Sequence, residues 1–227
     1  MLPAPDALEC TLPEGTVCLV TDDGTETPIR LAQALTDRDW RVVLLRFPPT
    51  LVEAPARDLP DGVGCVTLDD ARETTLAAQL AAVTAAHGPI GGFIHLNPVG
   101  NGELFSAREE TLLKAVFFLA KHLKTALNQA ATQGRAPFVT VTRLDGALGL
   151  DSAEAGAISG GLCGLTKTLA LEWPAVFCRV VDISPTFAAA QTVRALLAEL
   201  HDPNRRLVEV GYGAQGRATI VIQTERL

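Results

Sequence analysis

Apolar residues in this chain form short continuous runs that are separated by longer stretches with helical spacing. The runs predict six buried strands at 17–21, 41–46, 63–68, 91–96, 137–142 and 176–183. Between them, apolar residues three and four positions apart predict helices at about 25–37, 72–87, 109–131, 151–173 and 188–200. Strands that alternate with helices are typical of an α/β protein. We therefore expect a Rossmann-like, mostly parallel sheet with helices on both faces.

The ends of this pattern set the expected domain boundaries. Residues 1–15 are proline-rich and are predicted to be an irregular lead-in, which leaves 16–227 as one Rossmann-like domain. A second proline-rich stretch, 47–62, is predicted to be a loop. At the other end, 206–211 and 217–223 are predicted to be two closing strands around a glycine-rich turn at 212–216.

Composition narrows the classes of function. The chain has 227 residues, of which 48% are hydrophobic, enough for one α/β domain with a substantial core. The net charge is −7 with no basic run, so nucleic acid is not an expected partner. Neither a signal peptide nor an apolar stretch of about 20 residues is evident, so a cytoplasmic protein without a membrane span is the simplest expectation.

The cysteines do not indicate a metal site. Cys10, Cys18, Cys65, Cys163 and Cys178 are odd in number and widely spaced, without a CxxC pair or a Cys/His cluster. Those in predicted strands or in the long helix are expected to be buried thiols in a reducing compartment. We therefore expect no metal.

The turn after the first strand is where a Rossmann fold holds the phosphates of a dinucleotide. Working versions of this turn need about three glycines, but the segment Asp22-Asp23-Gly24-Thr25-Glu26 has one. Three carboxylates would repel the two phosphates, although a helix N-terminus favours anions. The turn is thus predicted to have lost its cofactor, and Thr25 is predicted to cap the helix that follows. Arg46, at the end of the second strand, suits a 2′-phosphate, but a surface arginine at a strand end is the commoner case.

The helix predicted at 151–173 resembles the active-site helix of short-chain dehydrogenases. The segment 164–172, GLTKTLALE, matches the family's pattern after its Tyr-x-x-x-Lys motif. Counting back puts Ala155 at the tyrosine position and Ser159 at the lysine position, so neither the proton donor nor the cation that lowers its pKa is present. Thr142 lies near the position of the family's serine but has nothing to orient. The one tyrosine of the chain, Tyr212, is far away in sequence.

A narrower resemblance is to ketoreductase regions of modular polyketide synthases and of polyunsaturated fatty acid synthases. In these, a structural half without cofactor precedes a catalytic half. The matching features are a Gly-Leu-x-(Arg/Lys)-x-x-x-x-Glu-x-Pro segment, a strand that ends in Asp, and a His-Leu strand end. Here they are Gly164, Leu165, Lys167, Glu172, Pro174, 179–183 and His95-Leu96, with further likeness at 145–149 and 207–217. His95 is accordingly interpreted as a packed strand residue.

The resemblance implies a catalytically inactive structural subdomain that packs against a catalytic ketoreductase or other synthase domains. Two alternatives stay open: a divergent NADPH-dependent β-ketoacyl reductase, and a stand-alone domain that self-associates as a homo-oligomer. For a structural subdomain, docking is expected through the closing strands, with Val210 and Ile220 as contacts. The helices at 109–131 and 151–173 are the other candidate surface.

Overall fold

The computed structural model describes residues 1–8, 10–100, 106–151 and 157–221, with only the backbone of 157–158. Within these residues, eight strands form one sheet: β1 (Val17–Thr21), β2 (Val42–Arg46), β3 (Gly64–Thr67), β4 (Ile90–Leu96), β5 (Pro137–Thr142), β6 (Phe177–Ile183), β7 (Glu209–Gly213) and β8 (Gly216–Ala218). Their order is β3-β2-β1-β4-β5-β6-β7-β8, and β1 to β7 run parallel while β8 is antiparallel to β7. The predicted Rossmann-like fold is confirmed.

The described part of the chain has five helices, each of which connects two successive parallel strands. They are α1 (Thr27–Thr36), α2 (Glu73–His87), α3 (Ala107–Ala130), α4 (Ala157–Glu172) and α5 (Ala189–Leu200). Glu26 is the residue at the N-cap of α1, one position later than predicted. Thr25 nevertheless contributes to this helix start, because its hydroxyl oxygen accepts a hydrogen bond from the Thr27 N–H at 3.1 Å.

Alternation along each strand divides the core into two layers. Leu19 and Phe93 face one side, where α2, α3 and α4 pack, while Val20 and Ile94 face the other, where α1 and α5 pack. Successive side chains of a strand point to opposite faces, so a strand buried on both sides is apolar throughout. This explains why the strands were visible in the sequence as continuous apolar runs.

The closing strands differ from their prediction. Strand β7 starts three residues later than expected and runs to Gly213. Because β8 starts at Gly216 and ends at Ala218, the connection between the two strands has only two residues. Positive φ at Gly216 (101°) permits this tight turn, which the run of glycines suggested but did not position. Val210 is fully buried, so the expectation that it contacts a partner is wrong, whereas Ile220 is 41% exposed.

The described lead-in residues, 1–8 and 10–15, have no regular secondary structure but pack against the domain. The Leu2 N–H donates to Arg217 O at 2.8 Å on the outer side of β8, and the Leu8 N–H donates to His201 O at 3.0 Å after α5. Leu2 and Leu12 lie against the α1–α5 layer of the core. One end of the edge strand is thus already paired with the chain's own N-terminal segment.

A buried ionic cluster joins α5, β6 and the β7–β8 hairpin. Glu199 and Arg179 are in contact with both side chains buried, and Arg217 Nε donates to Glu199 Oε1 at 2.6 Å. Arg217 also reaches Asp202 at 2.5 Å, and the Tyr212 hydroxyl donates to Glu199 Oε1 at 2.6 Å. Burial and this carboxylate raise the pKa of Tyr212, which is therefore a structural donor. Two arginines against two carboxylates leave the cluster neutral.

We expect Glu199→Ala to lower the free energy of unfolding by about 3–5 kcal/mol, because it leaves Arg179 buried without its main partner. Glu110→Ala is the matched control, since Glu110 pairs with Lys114 on the exposed side of α3 and such pairs contribute little. Urea titration of both variants checks this. Equal stability of the two would contradict the assignment of Glu199 as the centre of the cluster.

Candidate functional site at the carboxyl ends of the strands

Asp22 follows β1 directly and is held by two partners. Its Oδ1 accepts the Gly24 N–H at 3.0 Å, and its Oδ2 accepts Arg46 Nε at 3.0 Å. The Asp22 side chain is 4% exposed and that of Arg46 is 23% exposed. The guanidinium that would suit a 2′-phosphate is therefore engaged by a carboxylate of the turn itself.

Asp23 has the same arrangement on the other side of the turn. Its Oδ1 accepts the Thr25 N–H at 2.9 Å and the Thr25 hydroxyl at 2.7 Å. Its Oδ2 accepts Arg143 Nη2 at 3.1 Å, and the same nitrogen donates to Thr27 Oγ1 at 3.2 Å. Arg143 follows β5, so this pair links the carboxyl ends of two strands of the sheet. The third carboxylate, Glu26, pairs with Arg30 on the surface.

The proline-rich loop after β2 folds over the turn. Phe47 and Val52 are buried in the core and anchor this loop, and Arg57 donates to the carbonyl oxygens of Gly24 and Thr25. Gly24 has φ of 84°, and a Cβ placed there would lie 2.6 Å from Glu53 O. The N–H groups of Gly24 and Thr25 are bonded and the loop backbone covers the turn. In this arrangement the described residues do not fit the diphosphate of a dinucleotide.

The positions that resemble the catalytic pair are only partly described. Ala155 lies outside the described residues. Ser159, on α4, is buried, and its Oγ accepts a hydrogen bond from Asn97 Nδ2 at 3.2 Å. Asn97 follows β4, so this bond ties α4 to the end of the central strand. The lysine position of the dehydrogenase pattern is thus occupied by a short side chain with an internal partner.

Thr142 donates its hydroxyl to Asp182 Oδ1 at 2.9 Å and is fully buried. Asp182, at the end of β6, also accepts the N–H groups of Leu144, Gly146 and Leu148 at 2.8, 2.8 and 2.9 Å. The loop after β5 is therefore wrapped around a buried carboxylate. Leu148 is held at φ of 63°, a conformation that non-glycine residues rarely adopt. The hydroxyl at the serine position faces into the protein.

His95 is fully buried on β4, as predicted, and its Nδ1 lies 2.9 Å from Thr21 Oγ1. Burial lowers the pKa of its imidazole to about 4, although Asn97 offsets this in part. The ring is accordingly neutral at pH 7, packed edge-on against Phe47 with centroids 6.2 Å apart. Its contacts with a hydroxyl and an aromatic ring make it a packing residue of the strand.

Other site classes find little support in the described ranges. No group of three or more potential metal ligands occurs among residues 1–8, 10–100, 106–151 and 157–221. Within the same ranges, no helix combines the length and apolarity that a bilayer crossing requires. Cys18, Cys163 and Cys178 are buried as predicted, whereas Cys65, on the edge strand β3, is only partly buried. Burial raises the pKa of the Cys163 thiol to about 11 and that of the Cys178 thiol to about 12.

Comparison with known proteins agrees with this architecture. A crystal structure of 3-ketoacyl-(acyl-carrier-protein) reductase from Brucella melitensis, complexed with NADH, aligns with a TM-score of 0.58 at 22% identity, over 76% of each chain. A citronellol catabolism dehydrogenase from Pseudomonas aeruginosa aligns with a TM-score of 0.61 at 18% identity, over 89% of this chain and 94% of that one. The fold is that of the short-chain dehydrogenases. No family model matches the sequence.

A curated relative gives the sequence context. The chain is 31% identical over 229 residues to one of the polypeptides of a polyunsaturated fatty acid synthase from Thraustochytrium sp.. The match covers 95% of this chain but 8% of that polypeptide. This chain therefore has a short-chain-dehydrogenase-like fold and is similar, over most of its length, to one segment of a much longer synthase polypeptide.

Sequence reasoning identified Asp22, Asp23 and Arg46 but missed the contacts of Arg143 and Arg57. Arg143 directly follows a parallel strand, and the carboxyl ends of such strands meet at one edge of the sheet. The proximity of Arg143 to Asp23 could therefore have been predicted from the sequence. Arg57 lies in an irregular loop with no periodicity, and nothing in the sequence indicates that it reaches the turn.

We expect Gly24→Ala to destabilise the chain more than Gly15→Ala does. Both glycines have positive φ, 84° and 73°, so each alanine costs about 1–2 kcal/mol in backbone strain. Only at Gly24 does the new methyl also meet a backbone oxygen, at 2.6 Å, while Gly15 has open space around it. Overpacking adds about 1–3 kcal/mol. Thermal unfolding of the two variants measures the difference, and equal losses would show that the loop does not press on the turn.

Proposed function

We propose that this chain is a catalytically inactive structural subdomain of a ketoreductase region, which packs against and supports a catalytic ketoreductase in a polyketide or fatty acid synthase. The observation that carries the proposal is the turn after β1, where Asp22 and Asp23 occupy the N–H groups and arginines that a cofactor would need. The relation to a long synthase polypeptide supplies the context of neighbouring catalytic domains.

The proton-donor side of the chemistry supports the same proposal. Reduction of a ketone needs an acid near the carbonyl oxygen and a cation that lowers its pKa. Ser159 stands at the lysine position and is bonded to Asn97, while Thr142 donates to Asp182. Tyr212 is bonded to Glu199 in the cluster beside α5. These hydroxyl groups thus have internal partners. A divergent reductase would have to replace three separate elements: the phosphate turn, the proton donor and the cation that lowers the pKa of that donor.

The partner surface that we favour is the outer face of α3 and α4. Phe117 is 51% exposed on α3 and Leu171 is 85% exposed on α4. Gly160 and Gly164 lie on the exposed side of α4, and a Cβ at either would meet nothing within 4 Å. Each exposed helical glycine costs about 0.5–1 kcal/mol relative to alanine, so the chain itself gains nothing from them. Close approach of a catalytic ketoreductase domain gives these positions a physical reason.

We expect the purified chain not to bind NADPH or NADH in a saturable way, because the phosphate turn is already occupied by Asp22 and Asp23. Fluorescence of the nicotinamide during a cofactor titration checks this. Saturable binding of NADPH would overturn the proposal and favour the divergent reductase.

We expect Leu171→Asp and Phe117→Asp to reduce co-purification with the catalytic ketoreductase domain roughly tenfold or more, because each replaces an exposed apolar side chain of the proposed contact with a charge. Both residues are exposed, so the isolated domain should keep its Tm. Ala82→Asp on the exposed side of α2 is the matched control and should bind as the parent does.

Three outcomes of this experiment are informative. Loss of binding in the α3 and α4 variants alone supports the surface. Loss only in Ile220→Asp would return the contact to the closing strands. If the isolated parent chain is a dimer and the α3 and α4 variants are monomers that still bind the catalytic domain, the self-associating alternative is favoured.

A further inference from the structure

The two aspartates of the turn are bonded in the same way. In each, one carboxylate oxygen accepts a backbone N–H of the turn and the other accepts an arginine, at distances of 2.9–3.1 Å. Backbone N–H groups at a helix N-terminus together with arginines are what proteins use to hold an oxyanion. Here both halves of such a site are present, and the oxyanions are side chains of the chain itself.

This geometry changes the expected reason for the loss of the cofactor. The sequence suggested that three carboxylates repel phosphates. In the structure, Asp22 faces Arg46, Asp23 faces Arg143 and Glu26 faces Arg30, so each carboxylate is matched by one guanidinium. Arg57 adds a further positive charge at the carbonyl groups of Gly24 and Thr25. The turn is thus not a negatively charged barrier to phosphates. The cofactor is instead expected to be excluded because Asp22 and Asp23 already occupy the N–H groups and arginines that would bind it.

We propose that Asp22 and Asp23 are resident anions, which fill an oxyanion site and hold it closed. The inference rests on the proposed function and adds the means by which the fold remains stable without a cofactor. Asp23 is the stronger case because its side chain is fully enclosed and that of Arg143 is 10% exposed. Through Arg143, this carboxylate also fixes the start of the loop that wraps Asp182.

The test is chemical rescue of Asp23→Ala by formate. The substitution removes a carboxylate, and formate supplies a group of the same charge and nearly the same size. We expect the variant to lose roughly 10 °C in Tm, since a buried arginine is left without its anion. Formate should restore most of that loss in a saturable way, compared with chloride at equal ionic strength.

Asp23→Asn is the matched control. It keeps an oxygen for the Thr25 N–H but leaves no space for an added anion, so its Tm should respond equally to formate and chloride. The parent chain should also show no formate-specific change. A Tm for Asp23→Ala that equals that of the parent, or a response to formate that equals that of Asp23→Asn, would overturn the proposal.

A double variant keeps the test decisive if Asp23→Ala does not fold. Asp23→Ala with Arg143→Met removes both charges, and we expect it to fold and to exceed Asp23→Ala in Tm, with no rescue by formate. If the double variant does not fold, or its Tm does not exceed that of Asp23→Ala, the proposal that Asp23 is a resident anion is contradicted. NADPH binding by the parent is measured separately, so that loss of the proposed function and loss of this inference are distinguishable results.

Discussion

Neutralisation of charge at the carboxyl edge of the sheet is the constraint on which this structure depends. The turns and helix N-termini that follow the parallel strands present backbone N–H groups at this edge, and enzymes of this architecture satisfy many of them with a ligand. In this chain, Asp22, Asp23 and Asp182 accept those N–H groups instead. Because buried carboxylates need cations or several donors, Arg46 and Arg143 follow from the same constraint.

This constraint also explains why the loops of this edge are tightly held. The loop after β2 covers the turn and is clamped by Arg57, while the loop after β5 winds around Asp182 with Leu148 at positive φ. Strained backbone persists only where its surroundings determine it strongly. Elsewhere in the molecule, the cluster around Glu199 fixes α5 against the closing hairpin. Both regions are thus stabilised by contacts within the chain itself.

The sequence predicted the fold because burial on two faces leaves a direct trace in the pattern of apolar residues. The strands at Val17–Thr21 and Pro137–Thr142 agree with their predicted limits residue for residue. It predicted the site only in part, since the meaning of Asp23 depends on Arg143, which lies 120 positions away. Hydrogen bonds across such distances have no periodicity to reveal them. The closing hairpin was misplaced for a related reason, because glycines permit several turns and do not select one.

The proposed structural role of the chain can be measured directly. The short-chain dehydrogenase fold and the similarity to a synthase polypeptide indicate which reaction to use. The most direct measurement is turnover of a β-ketoacyl thioester with NADPH by the catalytic ketoreductase domain, with and without this chain. We predict that this chain alone is inactive and that its addition slows thermal inactivation of the catalytic domain. Turnover by this chain alone, or a catalytic domain that is equally stable without it, would contradict a structural role.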